Sequence, residues 1–326
     1  MGPVDAALMQ QVLGPAGPAQ RRAVAKSITL LESTRADHRA RADELLNALL
    51  PATGKSFRLG ISGVPGVGKS TFIETLGLML IDQGHRVAVL AVDPSSSISG
   101  GSILGDKTRM ERLSMDERAY IRPSPASGTL GGVAEKTREA MLLCEAAGHD
   151  IVIVETVGVG QSETAVAGMT DMFVLMQLPN AGDDLQAIKK GVMELADLVV
   201  INKADLDEAA ATRARAQITS ALRFMGPHAQ HLVQVLQLSA LKGGGLADFW
   251  PVVTAFREAQ ARSGRLIERR HAQDEAWMWE RIAAGLQQRF HQHAAVRAAL
   301  PALVAEVRAG RVAASVAARR LLDLTH

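Results

Sequence analysis

A glycine-rich segment between an apolar run and a helical stretch is the feature that most constrains this chain of 326 residues. Residues 63–70 read Gly-Val-Pro-Gly-Val-Gly-Lys-Ser and directly follow the apolar run at 57–62. Glycines at this spacing let backbone N–H groups wrap a phosphate chain, and the N-terminus of the following helix adds its dipole. The order strand, loop, helix therefore predicts a nucleotide-binding α/β domain. The alternative is a glycine-rich turn that only caps a helix.

Short apolar runs alternate with helical stretches from about residue 57 to residue 249. Several runs, such as Ile-Val-Ile-Val at 151–154, are continuously apolar, which is typical of strands buried on both faces. The pattern predicts an α/β fold, a mostly parallel sheet flanked by helices. The predicted strands are Phe57–Ser62, Arg86–Val92, Ala119–Arg122, Ile151–Thr156, Met172–Gln177, Leu198–Asn202 and Val233–Leu238, and the predicted helices include Lys69–Gln83, Gly132–Ala147 and Glu208–Phe224.

The two ends of the chain differ from the middle in composition. Residues near both termini are rich in strong helix formers, with no internal repeat and no low-complexity linker. We therefore predict three segments: an N-terminal helical extension at 1–55, a nucleotide-binding domain at 56–260 and a C-terminal helical arm at 261–326.

Composition excludes several classes of protein. The formal charge is only +2 and aromatic residues make up 3% of the chain, which argues against a dedicated nucleic-acid binder. No stretch approaches the roughly 18 apolar residues of a membrane span, and the first twenty residues lack an export signature. The single cysteine, Cys144, cannot form an intrachain disulfide. We expect a cytoplasmic protein that spans no membrane and binds no nucleic acid.

The glycine-rich segment supplies the predicted phosphate contacts. Lys69 would reach the β- and γ-phosphates as a catalytic residue, and the hydroxyl of Ser70 would occupy one position on Mg²⁺. The residues predicted to contact the nucleotide here are Gly63, Val64, Pro65, Gly66, Val67, Gly68, Lys69, Ser70 and Thr71.

A second motif, Asn202-Lys203-Ala204-Asp205, points to guanine as the base. The Asp205 carboxylate can accept from both the N1–H and the 2-amino group of guanine, a pair of donors that adenine lacks. Lys203 would lie along the face of the ring and Asn202 would brace the loop. One strand later, Ser239, Ala240 and Leu241 would complete the base pocket through backbone N–H groups.

Acidic residues at the ends of predicted strands are candidates for Mg²⁺ and the γ-phosphate. Glu155 ends the run 151–156 and would hold Mg²⁺ directly or through water, and the N–H of Gly158 would contact the γ-phosphate. Asp93 and Asp106 are two further candidates for the metal. For each acid the alternative is a helix cap or a turn. Val159 stands where faster GTPases carry a water-orienting Gln, so slow intrinsic hydrolysis is expected.

Together these motifs resemble the SIMIBI class of P-loop NTPases, and within it the MeaB/ArgK subfamily, the G-protein chaperones of adenosylcobalamin-dependent acyl-CoA mutases such as methylmalonyl-CoA mutase. The segments that carry the resemblance are 61–71, 92–97, 100–110, 122–132, 155–163 and 178–191.

The resemblance implies a GTPase that binds GTP or GDP with Mg²⁺, forms a homodimer through its C-terminal arm and binds the mutase in a nucleotide-dependent manner. It implies control of cofactor loading, release of damaged cofactor and, indirectly, work with the adenosyltransferase that supplies the mutase. Residues 122–136 resemble a first switch, 155–164 a second, and 179–190 a further loop that relays the nucleotide state. In that last loop Asp183, Lys189 and Lys190 are candidate charge contacts, with a solvated turn as the alternative.

Two other functions stay open at this point. The subfamily has also been described as a kinase of transport systems that carry lysine, arginine and ornithine, although no phosphate-acceptor site is visible in the sequence. Related SIMIBI members insert nickel, but here His291 and His293 are two apart and so lie on different faces of a helix. The pair Trp277 and Trp279 is interpreted as core or dimer packing.

Overall fold

The computed structural model describes residues 2–92, 110–123, 130–156, 162–180, 190–224 and 233–325. Its centre is a sheet of seven strands in which every neighbouring pair is parallel. The strands are β1 Phe57–Gly63, β2 Val87–Val92, β3 Ala119–Arg122, β4 Ile151–Thr156, β5 Met172–Gln177, β6 Leu198–Ile201 and β7 Gln234–Gln237. The predicted α/β class with a mostly parallel sheet is confirmed.

The order of the strands in the sheet is β3-β2-β4-β1-β5-β6-β7. The strand that leads into the glycine-rich loop therefore lies in the middle, paired with β4 on one side and β5 on the other. In this register Ile61 lies opposite both Glu155 and Val174. Parallel strands end at a common edge, and ligands of open α/β sheets bind outside that edge.

The strand boundaries differ little from those predicted. The predicted bounds of β3, β4 and β5 match the structure, and β6 and β2 are each shorter by one residue. β1 continues to Gly63, the first residue of the glycine-rich loop, and β7 is shorter by one residue at each end. The differences fall at strand ends, where pairing gives way to loops that sequence patterns locate poorly.

Helices precede, separate and follow the strands along the chain. They are α1 Pro3–Val12, α2 Pro18–Glu32, α3 Ala36–Leu49, α4 Lys69–Asp82, α5 Glu111–Met115, α6 Leu130–Ala146, α7 Ser162–Ala167, α8 Lys190–Glu194, α9 Glu208–Phe224, α10 Leu246–Arg262, α11 Arg265–Gln292, α12 Ala294–Arg308 and α13 Ala314–Asp323. The chain separates into two compact units, Met1–Leu266 and Ile267–His326. The N-terminal helices thus belong to the same unit as the sheet.

The sheet buries apolar side chains on both faces, as the continuous apolar runs predict. Along β1, Phe57, Leu59 and Ile61 pack into one core with side chains of α4 and α10. On the other face, alternate residues of β2, β4 and β5 pack with side chains of α2, α3 and α6. Burial on both faces explains why these strands carry few polar residues.

Buried polar groups fasten the amino edge of the sheet to the helices. Glu145 of α6 accepts hydrogen bonds from Arg58 Nε at 2.7 Å and Gly54 N at 2.8 Å, and also from the Ser56 hydroxyl. Gln20 of α2 accepts from an Arg86 guanidinium nitrogen at 2.8 Å and donates to the carbonyl of Ala147 at 2.9 Å. The Glu145 bonds hold α6, and the Gln20 bonds hold the N-terminal helix α2, against the segments that lead into the sheet.

Among the described residues, no helix combines the length and the apolar character that crossing a membrane requires.

Candidate nucleotide-binding site

The residues singled out in the sequence meet at the carboxyl edge of the sheet. The glycine-rich loop leaves β1 at Gly63, Asn202 follows β6, and Ser239 follows β7 closely. Glu155 lies near the end of β4, beside β1. One edge of the sheet therefore gathers the predicted phosphate, base and metal residues that the structure describes.

The glycine-rich loop turns tightly from β1 into α4. Gly66 has φ +77° and Gly68 has φ +95°, in the left-handed region that side chains with a Cβ rarely adopt. A Cβ on Gly68 would also come within 2.6 Å of Asn202 Nδ2. Lys69 opens α4, and its ammonium group donates to the carbonyl of Gly63 at 2.7 Å. The loop thus has the shape of a phosphate cradle with a lysine at its mouth.

Asn202 joins this loop to the loop after β7. Its side chain is 1% exposed, Nδ2 donates to the carbonyl of Val67 at 2.8 Å, and Oδ1 accepts from the N–H of Ala240 at 2.9 Å. A buried amide that satisfies one backbone group on each loop fixes the distance between the phosphate and base segments. This geometry matches the bracing role predicted for Asn202.

Lys203 crosses the top of the glycine-rich loop. It has φ +59°, the left-handed conformation that only Lys203 adopts among the described residues other than glycine, and its ammonium group donates to the carbonyl of Gly66 at 2.8 Å. A bulky residue in this conformation is strained, and such strain concentrates at functional sites. The aliphatic stem therefore runs from the backbone of Lys203 to Gly66, and its predicted contact with the face of a base stays a prediction.

Asp205 lies beside the loop that follows β7. Its carboxylate Oδ2 is 3.1 Å from the ammonium nitrogen of Lys242. A hydrogen bond from the side chain of Ser239 and this ion pair hold the pKa of the Asp205 carboxyl below its ordinary value. The group is therefore an ionised acceptor at neutral pH, as a carboxylate that reads guanine must be.

The backbone of residues 239–241 is only partly available to a ligand. The N–H of Ser239 donates to the carbonyl of Gly244 at 2.8 Å, and the N–H of Ala240 donates to Asn202 Oδ1. Leu241, with its side chain 84% exposed, carries the remaining N–H of the three. The N–H groups of Ser239 and Ala240 therefore shape the loop, and their predicted contact with a base stays a prediction.

The candidate metal residues that the structure describes offer oxygen donors, which suit Mg²⁺. Ser70 lies in the first turn of α4, and Glu155 is 3% exposed near the end of the neighbouring strand β4. The hydroxyls of Ser62 and Thr156 lie 2.9 Å apart and join the ends of β1 and β4. The oxygen donors of Ser70 and Glu155 are of the type that would suit a magnesium ion.

The remaining predicted contacts lie outside the described residues. They are Asp93, Asp106, Gly158, Asp183 and Lys189. Lys190 is the first residue of α8.

Sequence reasoning overlooked two residues near this site. Lys242 pairs with Asp205, and the hydroxyl of Thr75 on α4 donates to the carbonyl of Ala240 at 3.0 Å. Neither residue belongs to a motif with a known spacing, and the contact of Thr75 spans 165 positions of sequence. Only the folded chain brings them to the base loop.

Comparison with known proteins agrees with this geometry. Residues 24–295 match the family model of the methylmalonyl-CoA mutase-associated GTPase MeaB. A relative from Caulobacter vibrioides is 55% identical over 303 residues, which cover 93% of each chain. The GTPase ArgK of Escherichia coli is 51% identical over 261 residues, 79% of each chain.

A solved structure shares the fold. The crystal structure of a LAO/AO transport system kinase is 35% identical, with a TM-score of 0.79, and the match covers 100% of this chain and 99% of that chain. The parallel sheet with β1 at its centre is thus the P-loop NTPase fold of that protein. On this evidence, the chain belongs to the MeaB family of methylmalonyl-CoA mutase-associated GTPases.

Proposed function

We propose that this GTPase is a slow, nucleotide-dependent chaperone of an adenosylcobalamin-dependent acyl-CoA mutase, methylmalonyl-CoA mutase or a close relative. The observation that carries the proposal is the family match over residues 24–295, whose description names that mutase. In this function, GTP and GDP states of the chain control when adenosylcobalamin enters the mutase and when damaged cofactor leaves. The adenosyltransferase that delivers the cofactor would be an indirect partner, and the expected compartment is the cytoplasm.

The site assignments follow the geometry of the carboxyl edge. Lys69 would exchange the carbonyl of Gly63 for the β- and γ-phosphates, because a charged acceptor binds an ammonium more strongly than a carbonyl does. Ser70 and Glu155 would hold Mg²⁺, with Asp93 and Asp106 as further ligands. The N–H of Gly158 would sense the γ-phosphate.

A substitution in the base pocket tests the guanine assignment. In Asp205→Asn the carboxamide offers a donor in place of one acceptor, so GTP preference should fall and xanthosine triphosphate should become the preferred nucleotide. Competition binding with the two nucleotides measures the change. Selectivity for GTP equal to that of the unmodified chain would show that Asp205 does not read the base.

The ends of the predicted first switch contact the N-terminal helices. Arg122, at the end of β3, forms an ion pair with Glu32 at the end of α2. Lys136 of α6 donates to the carbonyl of Leu31, the preceding residue of the same helix. Movement of the segment between these two basic residues would therefore shift its anchors on α2, which supports a relay from nucleotide to the surface of the N-terminal helices.

The C-terminal unit supports the proposed homodimer. Met278, Ile282 and Leu286 of α11 are exposed and follow one another at intervals of four residues, so they form one apolar stripe along the helix. Trp279 beside the stripe is exposed too. A stripe of this kind in a helix of 28 residues suits the matching helix of a second copy.

The homodimer is tested by a substitution in this stripe. Ile282→Glu should yield a monomer in light scattering, whereas Gln287→Glu, a change of an exposed polar residue, should leave the dimer intact.

The mutase function is tested directly by complex formation. The purified chain is mixed with the adenosylcobalamin-dependent acyl-CoA mutase of the same genome in the presence of GDP or of a non-hydrolysable GTP analogue, and complexes are separated by size exclusion. We expect a complex whose affinity differs between the two nucleotides, and Lys69→Ala should abolish that difference. No complex with either nucleotide would exclude the proposal.

A transport-associated kinase is the second candidate, because the solved relative that shares the fold bears that description. It predicts transfer of the γ-phosphate from a nucleotide to a periplasmic amino-acid-binding protein. Radiolabel on that acceptor would favour the kinase function over the chaperone function.

A metal-insertion GTPase is less well supported, because the described residues contain no group of three His, Cys, Asp or Glu side chains that could hold a metal.

A further inference from the structure

The carboxylate of Asp205 has two donors within the protein itself. Lys242 places its ammonium nitrogen 3.1 Å from Oδ2, and the side chain of Ser239 donates a hydrogen bond to the same carboxyl. The Asp205 side chain is 19% exposed, so little of its surface is open beside these donors. A guanine that uses both carboxylate oxygens therefore needs the oxygen that Lys242 contacts.

We infer that Lys242 is a built-in competitor of the guanine base: its ammonium group binds the Asp205 carboxylate when the site is empty and is displaced when nucleotide enters. This inference rests on the proposed function of Asp205 as the group that reads guanine. An ammonium offers the carboxylate the same type of N–H donor as the N1–H and 2-amino groups of guanine. The two occupants are thus alternatives for one acceptor.

The structure explains why Lys242 can leave while its loop stays in place. Its side chain is 67% exposed, so the released ammonium is already close to water. Its backbone N–H donates to the Ser239 hydroxyl at 3.3 Å, which anchors the residue independently of its side chain. Lys203 differs, because its ammonium donates to the backbone carbonyl of Gly66 and not to the Asp205 carboxylate. Of these two lysines, Lys242 is the one that occupies the acceptor that guanine would use.

Competition of this kind predicts a specific kinetic pattern. The ion pair would exist only before nucleotide binds. Nucleotide must break it in order to bind, which slows association, but the ion pair has no effect on how fast bound nucleotide dissociates. In Lys242→Met the carboxylate keeps its Ser239 donor but loses the ammonium, and the affinity for GDP should rise about two- to fivefold, the range of an exposed ion pair. The gain should appear in the association rate constant, with an unchanged dissociation rate constant. It should disappear at about 1 M salt, where charges are screened within roughly 3 Å.

The experiment follows fluorescent N-methylanthraniloyl-GDP by stopped flow with the full chain at low and high salt. Lys242→Arg keeps the ion pair and should behave like the unmodified chain. Lys55→Met removes an exposed lysine just before β1, at the opposite edge of the sheet, and should change nothing. In an Asp205→Asn background, Lys242→Met should not alter the affinity for xanthosine diphosphate, because the partner of the lysine has been removed.

The outcomes separate this inference from the proposed function. Weaker binding of GDP by Lys242→Met, or a faster dissociation, would show that Lys242 contacts the bound nucleotide, and the inference would be wrong. Equal affinities of Lys242→Met and the unmodified chain for GDP at low salt would also overturn the inference. Because both proteins would still bind GDP, the proposed nucleotide site would not be affected by that result. A gain that persists in the Asp205→Asn background would mean that Lys242 acts on another group. Failure of the unmodified chain to bind guanine nucleotide would refute the site assignment and this inference together.

Discussion

The two edges of the central sheet use polar side chains in opposite ways. At the amino edge, Glu145 is buried and accepts hydrogen bonds from three protein groups, and Arg58 and Ser56 are buried with it. At the carboxyl edge, Lys69 and Lys203 bind loop carbonyls. A carbonyl or an exposed ion pair is a partner that a phosphate or a base can replace, whereas a buried ion pair is not. The amino edge holds the fold and the carboxyl edge holds a ligand.

The largest effect is expected from breaking the buried ion pair at the amino edge. Arg58→Met leaves the Glu145 carboxylate buried without its cation, which should lower the free energy of unfolding by about 3–5 kcal/mol. The affinity of the folded fraction for GDP should stay unchanged. Arg262→Met is the matched control, because it removes an exposed pair with Glu258 and should change stability by less than about 1 kcal/mol. Urea unfolding with and without GDP measures both quantities, and a loss of GDP affinity in Arg58→Met would contradict the separation of the two edges.

The pH dependence of stability should also come from the amino edge. Burial lowers the pKa of His149 to about 4, and its ring contacts the carbonyl of Cys144 at 3.0 Å. At pH 8, well above the ordinary pKa of about 6.5, the residue is neutral in both the folded and the unfolded chain. As the pH falls from about 6.5 towards 4, the unfolded chain gains a proton that the folded chain refuses, so about 3 kcal/mol of stability should be lost.

The measurement is urea unfolding of His149→Gln and of the unmodified chain across that pH range. His149→Gln should show a smaller loss, and His291→Gln, which changes an exposed histidine, should follow the unmodified chain. Parallel curves for all three would place the acid sensitivity elsewhere.

At the carboxyl edge the effect should fall on binding instead of stability. Lys69→Ala removes the ammonium that would contact the β- and γ-phosphates, so the affinity for GTP should fall about a hundredfold. Stability should change by no more than about 1 kcal/mol, because the residue lies at the junction of a loop and a helix. Calorimetric titration and thermal unfolding give the two values, with the exposed Lys55→Ala as control. A thermal midpoint far below that of Lys55→Ala would assign Lys69 to the fold.

Asn202 is expected to contribute both to the stability of the fold and to nucleotide binding. Asn202→Ala leaves the carbonyl of Val67 and the N–H of Ala240 without their buried partner, so stability should fall by about 2 kcal/mol. GDP affinity should fall about tenfold, because the phosphate and base loops lose their connection. Asn47→Ala, on the exposed face of α3, should change neither value. A change in stability alone would assign Asn202 to the fold, and a change in GDP affinity alone would assign it to the nucleotide site.

How far sequence reasoning reached depended on the type of signal. The bounds of β3, β4 and β5 were predictable because they are apolar runs with sharp polar ends. The glycine-rich loop was predictable because left-handed φ values at Gly66 and Gly68 require glycine whatever surrounds them. Lys242 was not predictable, because its contact with Asp205 depends on how the loops after β6 and β7 face each other.

The amino edge was also beyond sequence patterns. Glu145 and Arg58 are 87 positions apart, and nothing local distinguishes either from a solvated charge. The same holds for Gln20, whose side chain meets Ala147 across 127 positions. Charged and amide side chains have no periodic signature when a tertiary partner is the reason for their burial.

The sequence by itself determined the parallel sheet, the phosphate loop and the guanine motif, because each depends on local rules of burial, backbone conformation and motif spacing. Only the tertiary structure decided which strand lies beside which, that Asn202 joins the phosphate loop to the base loop, and that Lys242 forms an ion pair with Asp205. The physical reason is the range of the interactions. Hydrophobic pattern and φ preferences act within a few residues, whereas ion pairs and buried hydrogen bonds join whichever groups the packed strands bring within about 3 Å.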